Sequence, residues 1–250
     1  MRRFGQGLLL MLAGGAVLRI SLLSELYLRY VKEGLRLPLV VSGAVLLLLG
    51  VCETVRAASH GDGPGADHGH DHSHLPRSAW LLLLPVLLLL LHAPPPLGAF
   101  TAARESAKAP ASAPRTPDRQ VKFAPLPAGD PVPMPLSEFT LRAQHDRRQS
   151  LRGRTVRMTG FVTPDRSGAG GWRLTRLVIS CCAADSQSVT VRMRGAAAPP
   201  ADTWVTVTGR WSAAGTLGTP SAANELRVES LAEVERPASP YTDTVARPPG

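Results

Sequence analysis

The 250-residue sequence has little cysteine, little lysine and few aromatic rings, and it lacks the short motifs that mark many enzyme sites. Its three cysteines, Cys52 and the adjacent Cys181 and Cys182, exclude a framework of several disulfides. Lys32, Lys108 and Lys122 are the only lysines among 28 basic residues, so the net charge of +9 is carried almost wholly by arginine. Aromatics make up only 5% of the chain and the arginines are scattered, so neither a stacking platform nor a basic patch for nucleic acid is expected. No nucleophile elbow, phosphate-binding loop or HExxH helix is present, and an enzyme is not expected.

What the chain does have is long apolar runs, all of them within its first hundred residues. The first follows Arg2 and Arg3 and contains Arg19 and Glu25. The second runs from Leu37 to Cys52 and the third from Ala79 to Ala93. An uncharged stretch of roughly sixteen residues spans about 24 Å as a helix, short of a bilayer core of about 30 Å. Three such runs fit poorly in a soluble core, however, and Tyr27, Tyr30 and Trp80 at their flanks suit an interfacial belt. Residues 1–93 are therefore expected to form a transmembrane region of three apolar helices in the lipid bilayer. The first run also resembles a secretory signal, but it lacks a clear cleavage site and a second run follows closely. Gly14 and Gly15 offer a smooth surface for a membrane partner, and Arg19 is either an interfacial charge or part of such a contact.

Between the second and third runs, a loop over 57–78 holds His60, His68, His70, His72 and His74 with Asp62, Asp67 and Asp71 among glycines. Alternate imidazoles on a pliable backbone suit zinc, copper or nickel, so these histidines with Asp67 and Asp71 are candidate metal ligands, zinc foremost. No closed-site spacing is present, which predicts weak and exchangeable binding.

Residues 94–135 are rich in proline and alanine and read as an extended spacer. A short helix is predicted from Ser137, as its cap, to about His145. Period-2 alternation then marks a strand around Val156, Met158 and Val162, and further strands over 172–179, 188–194, 204–211 and 225–234. Five short strands with glycines at 160 and 209 predict a small all-β domain over 136–236, an OB-like five-stranded barrel with a short helix. Residues 237–250 read as a disordered tail. The cluster Arg142, Arg147, Arg148, Arg152, Arg154 and Arg157 reads as solvated surface.

Cys181 and Cys182 follow the second of these strands in VISCCAADSQSV. Consecutive Cα atoms lie about 3.8 Å apart, below the usual disulfide range of about 4.4–6.8 Å, so a bond between them would be strained. The pair is a candidate for soft-metal binding or redox switching, and Asp185 is close enough to join a site. Packing of one cysteine inward and the other outward accounts for the pair equally well.

The apolar segments, the His/Asp-rich loop, GFV at Gly160–Val162 and above all ISCCAAD at Ile179–Asp185 resemble the YcgQ-like family of two-component membrane permease subunits of bacteria. The resemblance extends over nearly the whole chain. It implies a multi-pass protein of the bacterial cell membrane, beside a separate multi-spanning permease subunit, with the β domain outside the cytoplasm. It carries over no catalytic residue; Cys181, Cys182 and Asp185 match only as positions of the hallmark segment. The expected function is that of a non-enzymatic permease accessory subunit. The alternatives are a membrane-anchored metal-binding protein, using the histidine loop or the cysteines, and a membrane-bound thiol redox protein.

Overall fold

The computed structural model describes residues 2–59, 84, 87, 96–108, 123–165, 171–213, 215 and 224–244. The chain divides into two compact units, 1–96 and 97–250.

The first unit holds two apolar helices, α1 (Arg2–Leu22) and α2 (Arg36–Ser59). They are 21 and 24 residues long, so at about 1.5 Å per residue each reaches about 30 Å or more. The helices outrun the uncharged stretches because Arg19 in the last turn of α1 and Glu53 and Arg56 near the end of α2 are helical too. Both are long and apolar enough to cross a membrane by length and composition. The turn between them is closed by short 3-10 segments at Leu26–Arg29 and Glu33–Leu35. The Arg36 Nε donates to the Ser21 carbonyl at 3.0 Å, occupying one of the acceptors left over at the end of α1.

Glycine sets how closely these helices pack. A Cβ on Gly50 would lie 2.7 Å from the Gly7 carbonyl oxygen, and one on Gly14 would lie 2.7 Å from that of Gly43. The glycines recur at a spacing of seven on each helix, which keeps them on one seam. Gly14 is therefore engaged by the chain's own second helix. A Cβ on Gly15 would have nothing within 4 Å, and Arg19 is exposed. Of the third apolar segment, only Leu84 and Leu87 fall among the described residues, and both are helical. Of the stretch read as the histidine loop, 57–59 are instead the end of α2, and the rest, with every one of its histidines, lies outside the described residues.

The second unit is built on a six-stranded mixed sheet. Its strands are β1 (Val132–Pro133), β2 (Thr155–Pro164), β3 (Trp172–Val178), β4 (Gln187–Arg194), β5 (Trp204–Trp211) and β6 (Glu225–Glu233). They run in the order β1-β2-β3-β4-β6-β5, and β5 also pairs with β2. The β1–β2 and β4–β6 pairs are parallel and the others antiparallel. The close approach expected at the glycines is present. A Cβ on Gly160 would lie 2.7 Å from the Thr175 carbonyl oxygen, and the β5–β6 register shifts between Thr208 and Gly209.

Alternate strand residues face one core, including Val156, Met158 and Val162 of β2, Trp172 and Leu174 of β3, and Val205 and Val207 of β5. Helix α4 (Leu136–His145) adds Leu136, Phe139 and Ala143 to it. Ser137 is not its cap. The helix starts at Leu136, and the Asp243 carboxylate accepts the Leu136 and Ser137 amides, at 3.0 Å for Leu136. Helix α3 (Ala99–Lys108) lies within the stretch read as an extended spacer. It is closed the same way, by the Asp202 carboxylate on the Ala99 amide at 2.6 Å. These distant aspartates meet donors that the helices themselves leave orphaned.

A smaller cluster joins Ala102 of α3 to Phe161, Leu177, Ile179 and Tyr241. Within the stretch expected to be a disordered tail, Pro240 and Tyr241 thus contact the sheet. Tyr241 is buried, its carbonyl accepts the Ile179 amide at 3.2 Å, and its hydroxyl accepts the Leu97 amide at 2.9 Å. Arg176, also buried, donates to the Pro240 carbonyl and lies over the Trp204 ring at 4.9 Å.

Candidate functional site

The cysteine pair sits where β3 ends. Leu177 and Ile179 are buried in the smaller cluster, so the strand is anchored up to the point where the chain turns outward. Ser180 and Cys181 are exposed, Cys182 is half-buried, and a single 3-10 turn over Ala183–Asp185 returns the chain toward β4.

Asp185 closes this turn as a clamp. Its Oδ1 accepts the Ser180 amide at 3.0 Å and its Oδ2 accepts the Cys181 amide at 2.7 Å. The Asp185 amide in turn donates to the Cys182 carbonyl at 3.0 Å. The carboxylate therefore fixes the backbone that carries the sulfurs. Cys181 and Cys182 are free thiols, with Sγ atoms 3.7 Å apart. That separation is far longer than the roughly 2.05 Å of a disulfide.

The electrostatics follow from the same contacts. A hydrogen bond to Asp185, then one to Cys182, pushes the Cys181 thiol up to about 11. Negative charge beside a thiol disfavours the thiolate. Cys181 is thus a protonated thiol at neutral pH, the opposite of the lowered state that activates a nucleophilic cysteine. The Asp185 carboxyl is held below its ordinary range by the Cys181 side chain, with the Cys181, Ser180 and Cys182 amides adding to this against the effect of desolvation.

Cys181, Cys182 and Asp185 are therefore brought together, and they have distinct roles: two sulfurs lie side by side, one on an exposed and one on a half-buried residue, and one carboxylate holds the backbone that carries them. His60, His68, His70, His72 and His74, with Asp67 and Asp71, lie outside the described residues. Among the described residues, no group of three or more His, Cys, Asp or Glu side chains is placed to hold a metal ion. Residue chemistry alone gave no notice of Tyr241. Its carbonyl holds the amide two residues before Cys181, and a lone tyrosine in a proline-rich stretch carries no local signal of that contact.

The arginine cluster separates into structural and surface members. Arg142 is buried, pairs with Glu138, donates to Ser150 and the Ala124 carbonyl, and lies over the Phe123 ring. Arg154 donates to the Pro127 and Gly129 carbonyls. Arg147, Arg148, Arg152 and Arg157 are exposed.

Residues 140–242 match the model of the DUF1980 C-terminal domain. The match covers most of the sheet, the cysteine turn and Tyr241, and less than half of the chain. No curated protein matches the chain. No solved structure matches it either.

Proposed function

We propose that this chain is a non-enzymatic accessory subunit of a bacterial two-component membrane permease. Its N-terminal helices dock beside a separate multi-spanning subunit, and its β domain lies outside the cytoplasm. The observation that carries this reading is the pairing of an apolar helical hairpin with a β domain matching the DUF1980 C-terminal domain. Leu37, Val41, Leu48 and Val55 of α2 are exposed on the hairpin, leaving apolar surface for lipid or for partner helices. The resemblance to YcgQ-like permease subunits supplies the partner's class, and Ala79–Ala93 supplies a third membrane helix.

The β5–β2 pairing returns the strand order to its start, and β4 and β6 run parallel. On this basis we read strands β2 to β6 as an OB-like five-stranded barrel. Such a fold is a scaffold and does not itself specify a ligand. A protonated Cys181 gives no support to covalent thiol catalysis.

Purification of the tagged chain from its native membrane tests the proposal. Stoichiometric recovery of a multi-spanning protein is expected, and repeated recovery of the chain without one would overturn it. Protease added to sealed cells or spheroplasts should cleave the chain if the β domain lies outside, and full protection until the membrane is opened would overturn that placement.

A further inference from the structure

We propose that Cys181 and Cys182 form a two-sulfur binding site for a tetrahedral, thiophilic divalent cation, zinc being the biological case, with Asp185 as the positioning residue. The site belongs to the β domain alone, so it stands or falls separately from the permease reading.

The geometry favours this use of the pair. With a zinc–sulfur distance of about 2.3 Å, sulfurs 3.7 Å apart subtend about 107° at the ion. That is close to the tetrahedral angle, so the side chains need little rearrangement. A linear two-coordinate ion would instead require sulfurs separated by twice the metal–sulfur distance, about 4.6 Å at the same bond length. Disulfide formation would require them to close to about 2.05 Å across adjacent residues, and also an external oxidant.

The turn is also prepared in advance. Asp185 holds the Ser180 and Cys181 amides, and Tyr241 holds the Ile179 amide, so three successive amides before the sulfurs are already bonded. Less ordering is therefore left for binding to accomplish. Cys181 is exposed and Cys182 half-buried, which gives an ion access from solvent. Each thiol releases its proton to solvent as its sulfur coordinates, and the Asp185 carboxylate lends negative charge to the cation. Two coordination positions remain for water or for donors from another molecule. A half-open site of this kind exchanges its ion, unlike the closed four-ligand sites that hold zinc structurally.

The test uses the full chain in detergent, reduced and under argon, titrated with Cd²⁺ and read by sulfur-to-cadmium charge-transfer absorbance. That signal reports thiolates and is blind to the histidine loop. Saturation near one equivalent is expected, with reversal by Zn²⁺. Cys181→Ser and Cys182→Ser should each weaken binding by at least about tenfold, and Asp185→Asn by about 10–100-fold with the absorbance per bound ion unchanged. Cys52→Ser should leave the titration as it is. Absence of the band in the wild type, its persistence in the Cys181→Ser/Cys182→Ser double variant, or its loss in Cys52→Ser would each overturn the proposal. A readout on the wild type alone removes any dependence on variant folding. Saturating Zn²⁺ should protect Cys181 and Cys182 from alkylation, and equal labelling with and without zinc would also overturn it.

Discussion

The two units of this protein place their apolar side chains in opposite ways. In the β domain, Phe139, Leu174, Val191 and Val207 are wholly buried, and arginines occupy much of the surface. In the hairpin, Leu37 and Leu48 are 73% and 62% exposed, while glycines occupy the contact between the helices. The difference is the one expected if the hairpin lies in lipid, as proposed above, and the β domain in water. Water drives large side chains inward in the β domain, at about 25 cal/mol per Å² of apolar area. Lipid offers no such driving force, so helices associate by close backbone approach, for which glycine is best suited.

The sharpest way to break this contrast is to remove bulk from both units. Phe139→Ala should destabilise the β domain by about 3–5 kcal/mol, read as a lowered urea midpoint, because its ring has no solvent contact to fall back on. Leu48→Ala should leave the hairpin intact in detergent. Equal damage at the two positions would contradict the contrast. Adding bulk should reverse the pattern. Gly50→Leu forces side-chain atoms against the Gly7 carbonyl and should cost the hairpin about 1–3 kcal/mol or more, measured by slower cross-linking between cysteines placed on α1 and α2. Gly15→Leu, where space is open, should cross-link like the wild type.

Smaller effects test polar contacts within the β domain. Asp243→Ala removes the acceptor at the start of α4 and should lower stability by about 0.5–2 kcal/mol in thermal unfolding. The weakest effect should be a pH dependence at Asp146. Burial works to raise this carboxyl, but the Ser150 hydroxyl and amide, the Arg148 amide and Arg142 outweigh it and leave it below its ordinary value of 3.8. Its contribution is therefore complete above that ordinary value and is lost as pH falls through the lower folded-state value. Melting curves from pH 7 down to about 2 should show wild type and Asp146→Asn converging only at the acid end.

Much of the β domain was legible because its elements obey local rules. The strand at 204–211 has the expected limits, and α4 begins one residue before the expected start. What could not be read were contacts between residues far apart in the chain. Helix α3 lies among alanines and prolines, and its supports are Asp202 and the Tyr241 cluster. Strand β1 has only two residues, too few for alternation to register, and is held by parallel pairing to β2. In the hairpin, Gly14 stood out beside Gly15, whereas the seam depends on spacing of seven through Gly7, Gly43 and Gly50. The cysteine pair was conspicuous in the sequence. Asp185 was notable only for its proximity, and its work as a clamp appears only when the turn folds back.

The residues around Tyr241 and Asp243 bear on the order of events in folding. The Leu136 amide finds its acceptor 107 positions later and the Leu97 amide finds its own 144 positions later. A growing chain has neither acceptor when these donors are made, so α4 and the segment at Leu97 are completed only after β6 has been synthesised. Closing such long loops carries an entropic cost that local contacts do not, and it slows the final step. The same arrangement runs in reverse in the folded protein. Lifting 240–243 away frees the amides of Leu97, Leu136 and Ile179 together, so in hydrogen exchange they should open as one cooperative unit.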